Sequence, residues 1–276
     1  MGLRAVMDRW RPVKERRSAI HAAAMVLPPG RYEDFDPFLM MAEDWFRQGT
    51  FAEHPHRGIE TVTYVIAGHL AHYDSTSGHA GTLGPGDVQW MTAGRGVIHL
   101  EDPVPGEEVH SLQLWVNLPR AEKLCAPRYQ DLRVEAMPTV TQDGITARLY
   151  SGELFGVVAP TANVVPVTMA EIGVPEGGAG HVPIASRHRG FVYVLEGAGR
   201  FGENGVAASA GEVLWLSDEG VALPVQAGAP LRFLLFTGVP LGEPVVAYGP
   251  FVMNSMDEIR EAFRDYQLGR FATPSS

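Results

Sequence analysis

Two short segments of the chain each carry a pair of potential metal ligands spaced two residues apart. His54 and His56 form the first pair, and His99 and Glu101 form the second. Residues two apart on a β-strand point to the same face of the sheet. If the two strands lie side by side, three imidazoles and one carboxylate share one small space. We therefore predict that these four side chains bind one metal ion.

The ligand types restrict the choice of metal. Imidazole nitrogens and a carboxylate oxygen, without thiolates, suit Fe(II), Mn(II), Ni(II), Cu(II) or Zn(II) rather than a structural zinc bound by cysteines. We expect one divalent transition metal, with Fe(II) as the first choice, although the order of metal affinities alone does not select iron. An octahedral ion with four protein ligands keeps two positions for O2, water or a chelating substrate.

A second carboxylate competes with Glu101. Glu60 lies four residues after His56, so an unbroken strand would place it on the same face as the ligands. One carboxylate would then bind the metal, while the other would orient an imidazole or accept a proton from the substrate. The spacing does not choose between them, and both Glu101 and Glu60 are candidate catalytic residues.

The segments that must position these side chains are typical of short β-strands. Apolar, β-branched and aromatic runs recur about every ten residues, and turns rich in Gly and Pro separate them. The chain contains 31 Gly and 21 Pro. This pattern predicts an all-β sandwich or barrel. One helix is expected near the C-terminus, where Ser255 and Glu258 have the spacing of a capping box and Ile259 and Phe263 begin an apolar stripe.

The second half of the chain repeats the first, which predicts two domains, residues 1–130 and 131–276. Three segments recur in the same order at offsets of 121 to 129 residues. They are Tyr64–Gly68 with Tyr193–Gly197, Gly86–Met91 with Gly211–Leu216, and Leu114–Pro119 with Leu235–Pro240.

The repeat provides an internal comparison for the ligand positions. At these offsets the four ligands align with Pro183, Ala185, Pro224 and Gln226, none of which is a histidine or a carboxylate. A strand of this kind therefore does not need the four side chains to fold, and their concentration in one copy favours a function. Seven other histidines are expected to be surface or core residues: His21, His69, His72, His79, His110, His181 and His188.

Charge and composition limit the partners. The formal net charge is −10, whereas direct nucleic-acid binding requires a basic surface. No apolar run is long enough to span a membrane. The single cysteine, Cys125, allows no internal disulfide, so we expect a reducing, cytoplasmic location and a packing role for this thiol. Trp90, Trp115 and Gln113 are candidate pocket residues, although core packing is preferred for the two tryptophans.

Three longer motifs resemble those of the pirin family, within the cupin superfamily. They are His-Pro-His-Arg-Gly-Ile-Glu-Thr-Val at 54–62, the run from Gly86 to Glu101 that includes Gln-Trp-Met-Thr-Ala-Gly-Arg-Gly, and Gly-Pro-Phe-Val-Met-Asn at 249–254. The resemblance implies two tandem cupin (jelly-roll-like) β-barrels with iron only in the N-terminal one. It also implies that the ligands are His54, His56, His99 and Glu101, with Glu60 outside the coordination sphere.

Members of that family include enzymes similar to quercetin 2,3-dioxygenase, which open a flavonol ring with O2, and transcriptional co-regulators that act through protein partners. We therefore expect an Fe(II)-dependent dioxygenase whose partners are O2 and a flavonol-like, chelating aromatic substrate. The alternative is a non-enzymatic protein that responds to metal or redox state, or a co-regulator bound to another protein. A shared fold does not choose between these roles.

Overall fold

The computed structural model describes residues 2–272, which form short β-strands with little helix, and this confirms the all-β prediction. Each strand is bounded by turns, many of which contain a glycine with positive φ. The strands of residues 6–132 are β1 (Val6–Trp10), β2 (Glu15–Arg16), β3 (His21–Leu27), β4 (Phe38–Arg47), β5 (His54–His56), β6 (Ile59–Ala67), β7 (Leu70–Asp74), β8 (Ala80–Leu83), β9 (Val88–Thr92), β10 (Val97–Pro103), β11 (Glu108–Asn117) and β12 (Arg128–Leu132).

The remaining strands follow from residue 139 onward. They are β13 (Thr139–Gln142), β14 (Ile145–Ser151), β15 (Glu153–Leu154), β16 (Val157–Val158), β17 (Val167–Val174), β18 (Ala179–Pro183), β19 (Arg189–Glu196), β20 (Ala198–Phe201), β21 (Val206–Ser209), β22 (Val213–Leu216), β23 (Ala222–Ala227), β24 (Leu231–Gly238), β25 (Val246–Tyr248) and β26 (Phe251–Met253). The α-helices are α1 (Tyr32–Phe35) and α2 (Met256–Gln267).

The chain divides into two compact units. The first unit contains Lys14–Glu135 and Leu241–Ser276, and the second unit contains Met1–Val13 and Ala136–Pro240. The predicted boundary between residues 130 and 131 lies close to the observed transition at residue 136. However, the N-terminal segment belongs to the second unit, and the segment from Leu241 onward belongs to the first unit. The reason is strand and helix pairing, because β1 pairs with β22 of the second unit, whereas α2 packs on β25 and β26 of the first.

Both units have the same strand order, as the sequence repeat predicts. The first unit has a seven-stranded sheet, β12-β9-β6-β11-β4-β3-β2, and a four-stranded sheet, β5-β10-β7-β8. The second unit has the matching sheets β1-β22-β19-β24-β17-β14-β13 and β18-β23-β20-β21. The strands with potential ligands, β5 and β10, are neighbours in the four-stranded sheet of the first unit.

Among the described residues of the second unit there is no equivalent of the ligand set, as predicted. However, the four residues predicted to align with the ligands are not the ones that occupy those positions. Pro183, Ala185 and Gln226 are exposed. The inward face of β18 and β23 instead carries the opposed pair Val182 and Leu223, which are fully buried in an apolar core together with Ile184 and Val225. A shift of one residue in a strand exchanges its two faces, which explains the error.

The C-terminal helix begins as predicted. Ser255 Oγ accepts a hydrogen bond from the backbone N–H of Glu258 at 3.3 Å, and the Glu258 carboxylate accepts one from the backbone N–H of Asn254 at 3.0 Å. Ile259 and Ala262 are buried against Phe251 and Met253. None of the helices within residues 2–272 is long and apolar enough to cross a membrane.

Candidate metal centre

The two segments with potential ligands pair directly. Strand β10 is antiparallel to β5, with His99 opposite His54 and Val97 opposite His56. Opposed residues of an antiparallel pair share a face, so the predicted juxtaposition of the two segments is present. Gly58, with φ +81°, ends this pairing, and its N–H donates to the carbonyl of Gly94 at 2.9 Å.

Three histidines form a compact cluster, which we call the histidine triad: His54, His56 and His99. One ring nitrogen from each lies within 4.8 Å of the others, and no further group of this kind is found in residues 2–272. His99 Nε2 lies 3.1 Å from His54 Nε2. The ring centroids are 4.5 to 5.1 Å apart, so the rings converge on one point rather than stack.

Neighbouring acceptors define which nitrogens face that point. His54 Nδ1 lies 2.9 Å from the carbonyl oxygen of Ala52, to which it must donate, so the tautomer that binds a metal carries its lone pair on Nε2. His99 Nδ1 lies 3.3 Å from His72 Nε2. If His99 donates this hydrogen bond, its Nε2 also carries a lone pair and faces that of His54.

This arrangement fits a bound cation. In that tautomer of His99, the two lone pairs lie 3.1 Å apart and repel each other unless a positive charge lies between them. Two nitrogens about 2.1 Å from one ion, at a right angle to each other, lie roughly 3.0 Å apart. In addition, both ring nitrogens of His56 are buried without a hydrogen-bond partner in the described part of the chain. A buried polar atom without a partner costs free energy, and coordination of a metal by one of these nitrogens would reduce that cost.

The surroundings of His56 and His99 favour the neutral form of both rings. Burial lowers the pKa of His56 well below its usual 6.5, and the neighbouring His99 and His54 act in the same direction, while Glu101 and the backbone of Pro250 oppose it. Burial likewise lowers the pKa of His99 well below its usual 6.5, and the neighbouring His54 and His72 lower this pKa further. Neutral imidazole is the form that binds a metal, so these shifts favour coordination.

Glu101 lies beside the triad but is held by other residues. Its Oε2 accepts a hydrogen bond from Gln113 Nε2 at 2.8 Å, and its Oε1 accepts one from Thr63 Oγ1 at 3.2 Å. It lines the same cavity as His54 and His56. Glu101 therefore stays a predicted fourth ligand, and Gln113 acts in the site as a polar support.

Glu60 is not brought to this cavity. The assumption of one continuous strand was wrong, because β5 ends at His56, Gly58 turns the backbone, and β6 starts at Ile59. Glu60 lies three residues before the cavity residue Thr63, and so on the opposite face of β6. Its carboxylate accepts a hydrogen bond from Thr92 Oγ1 at 2.7 Å.

Two histidines assigned to the surface or core belong to the site. His72 is 3% exposed and lies opposite Glu101 in the pairing of β7 with β10. His21 lines the cavity, where its Nε2 lies 2.8 Å from Asp44 Oδ1. The sequence signal for His72 was its position in a strand that also carries Asp74, but the pairing partner of that strand was not predicted.

The cavity next to the triad has a volume of about 440 Å³ and is formed entirely by the first unit. Its walls are largely apolar, and the edge of the Trp115 indole contacts the His56 ring with centroids 5.2 Å apart. Trp115 packs against a core cluster that includes Leu39 and Met91, as predicted, and it lines the cavity as well, whereas Trp90 is fully buried. The apolar lining includes Met25, Met40, Phe46, Phe51 and Leu70.

Comparisons with known proteins agree with this architecture. The Pirin family model matches residues 14–116, and the model of the Pirin C-terminal cupin domain matches residues 169–272. A pirin-like protein of Solanum lycopersicum is 42% identical over 241 residues, which are 86% of this chain and 82% of that protein.

Two solved structures are similar over most of their length. GK1651 from Geobacillus kaustophilus is 50% identical, with a TM-score of 0.86 over 88% of this chain and 99% of that chain. Quercetin 2,3-dioxygenase from Acinetobacter baumannii is 31% identical, with a TM-score of 0.87 over 98% of this chain and 99% of that chain. The paired β units and the family matches together establish that the chain belongs to the pirin family and is built from two cupin domains.

Proposed function

We propose that this protein is an Fe(II)-dependent dioxygenase that acts on a flavonol-like, chelating aromatic substrate. The observation that supports the proposal best is the histidine triad, of which His54 and His56 line a largely apolar cavity of about 440 Å³, a size suited to one small organic ligand. Similarity to the quercetin 2,3-dioxygenase of Acinetobacter baumannii extends over 98% of the chain and suggests the substrate class.

The triad and Glu101 are the proposed ligands. Bound there, a divalent metal would act as a Lewis acid and would hold the adjacent oxygens of a chelating substrate near O2. The chain contributes the three imidazoles, a largely apolar cavity wall, and the indole of Trp115 beside His56. The aromatic side chains in the lining, Phe46, Phe51 and Trp115, suit an aromatic substrate.

Glu101 has a second proposed role. A flavonol must lose its hydroxyl proton to chelate a metal strongly, and a carboxylate in the cavity is suited to accept that proton. Gln113 and Thr63 hold the Glu101 carboxylate by one hydrogen bond to each oxygen, which fixes its direction. The proposal assigns no catalytic role to Glu60, because it lies on the other face of β6.

The test uses protein that has been loaded with Fe(II) under anaerobic conditions. After O2 is admitted, the loss of quercetin absorbance and the uptake of O2 are followed together. We expect coupled consumption in the wild type and none in His56→Ala. The matched control is His181→Ala, which removes an exposed histidine of the second unit and should leave turnover unchanged.

The two roles of Glu101 give different results in Glu101→Gln. A ligand role predicts weaker metal binding together with lost turnover, whereas a proton-acceptor role predicts unchanged metal content and lost turnover. Absence of turnover by the fully loaded wild type, or equal turnover by His56→Ala, would reject the proposed activity.

A further inference from the structure

The site cavity has a second polar position besides the triad. His21 on β3 and Asp44 on β4 form an imidazole–carboxylate hydrogen bond of 2.8 Å, and both side chains line the cavity. Their side chains are only 17% and 13% exposed. Polar groups buried at the wall of a largely apolar cavity are suited to orient and select a ligand.

The sheet register places this pair away from the triad. Ser111 lies opposite Asp44, and Gln113, which binds Glu101, lies two residues further along β11. The Cα atoms of Asp44 and Gln113 are therefore roughly 8 Å apart, because the two residues lie on neighbouring strands and are offset by two residues along the strand. The two polar positions therefore lie at different points along one cavity, at a distance that a molecule of two or three fused or linked rings would span.

The pair offers hydrogen-bond acceptors. Asp44 Oδ1 accepts from His21 Nε2, and among residues 2–272 nothing donates to Asp44 Oδ2. A neutral imidazole that donates through Nε2 has an acceptor at Nδ1. Ligand groups that match two acceptors are donors, such as hydroxyls.

The apolar neighbours of the pair are aromatic. Phe51 contacts the His21 ring edge-on with centroids 5.3 Å apart, and it contacts Phe46 in the same way at 4.9 Å. Both phenylalanines line the cavity. An aromatic ring of the ligand would thus meet aromatic walls at the same place where its substituents meet acceptors.

We infer that Asp44, held by His21, is a specificity-determining residue that recognises hydroxyl groups on the ring of the substrate farthest from its chelating oxygens. The ligand class is a phenol-substituted flavonol or a similar polyhydroxylated aromatic molecule. This inference rests on the proposed function, since it assumes that the other end of the ligand is bound at the triad.

The experiment measures binding of two flavonols to Fe(II)-loaded protein without O2, so that no turnover occurs. Quercetin carries hydroxyls on its outer ring, and galangin carries none there, while both have the same chelating oxygens. We expect the wild type to bind quercetin about tenfold more tightly than galangin, as for a hydrogen bond to a charged acceptor. In Asp44→Asn, which replaces an acceptor oxygen by a donor, the two affinities should become equal.

The chain provides a matched control on the same strand. Glu43 forms the same kind of pair with His110, at 2.7 Å, but it alternates to the face of β4 opposite Asp44, and neither Glu43 nor His110 lines the cavity. Glu43→Gln should keep the tenfold preference. Should Asp44→Asn fold poorly, His21→Leu removes the donor that holds Asp44, and it should also reduce the preference.

The outcomes separate this inference from the proposed function. If neither flavonol binds the Fe(II)-loaded wild type, both the proposed function and the recognition role of Asp44 are rejected. If the wild type binds the two flavonols equally, or if Asp44→Asn and His21→Leu retain the preference, the recognition role of Asp44 is wrong while binding at the triad stands. Loss of the preference for quercetin in Glu43→Gln would also overturn the recognition role of Asp44.

Discussion

His72 Nε2 lies 3.3 Å from His99 Nδ1, on the side of the His99 ring that faces away from the triad. His72 is almost completely buried, and burial lowers the pKa of its imidazole. If the neutral His72 accepts the N–H of His99, it fixes the tautomer in which His99 Nε2 is free to bind a metal. The partner of a metal-bound histidine is often a carboxylate or a carbonyl; here it is an uncharged ring.

Removing this acceptor should weaken metal binding. We expect His72→Leu to lower the affinity for Ni(II) roughly 10- to 100-fold, the usual effect of losing such a partner. His72→Gln, whose amide oxygen can accept the same hydrogen bond, should recover part of the loss. Competition with a chromophoric chelator measures the affinity.

The control for this prediction is His69→Leu. His69 is half exposed and bonds Glu107 at 2.9 Å, outside the cavity. Its removal should not change the Ni(II) affinity. Equal affinities of His72→Leu and the wild type would show that His99 is oriented without its neighbour.

Metal binding should stabilise the protein, because an ion that binds only the folded chain shifts the unfolding equilibrium. With Ni(II) at about 100 times its dissociation constant, the free energy of unfolding should rise by roughly 2.7 kcal/mol. Thermal unfolding with and without Ni(II) measures the effect. His99→Ala should abolish the increase and His181→Ala should preserve it, whereas an increase retained in His99→Ala would place the ion elsewhere.

Strand alternation and the sequence repeat were sufficient to predict the fold and the contact between the two ligand segments. Alternation places His54 and His56 on one face, and the pairing of β5 with β10 then brings His99 to them. The same reasoning failed for Glu60, because the local turn at Gly58 reverses the face of the following strand. A positive φ at one glycine is not visible in the spacing of the ligands.

The outer parts of the site were missed for a different reason. His72 and Asp44 reach the site through the register of strands that lie far apart in sequence, and no local pattern encodes which strands pair. The second unit shows the same limit, since a one-residue shift decides whether Leu223 or Pro224 faces inward. Residue types identify candidate ligands, but the residues that support them depend on tertiary pairing.

Lys123 should stabilise the first unit. Its ammonium group lies 2.6 to 2.9 Å from three acceptors, the Gly58 carbonyl, Asn117 Oδ1 and the Val252 carbonyl, and it is 2% exposed. Lys123→Met removes the donor that these buried acceptors share, and it should lower the free energy of unfolding by roughly 3 kcal/mol. Urea unfolding measures the change.

The other lysine of the chain, Lys14, provides the control variant. Lys14 lies over the exposed side of the Trp45 ring, 3.5 Å from its centroid. Lys14→Met should cost less than about 1 kcal/mol, because an exposed cation–π contact contributes little. A similar loss in both variants would mean that Lys123 contributes no more than an exposed lysine.

The contribution of Lys123 should also depend on pH. Burial lowers the pKa of its amine to about 7 from 10.5, while Glu243 and Glu258 oppose the shift. Between these two values the unfolded chain binds a proton that the folded chain does not, so stability rises with pH across that window and levels off below pH 7. The stability difference between the wild type and Lys123→Met should therefore grow by about 1 kcal/mol per pH unit from pH 7 to pH 10. The difference between the wild type and Lys14→Met should stay constant; a constant difference for Lys123→Met as well would show that its three acceptors keep the ammonium form at an ordinary pKa.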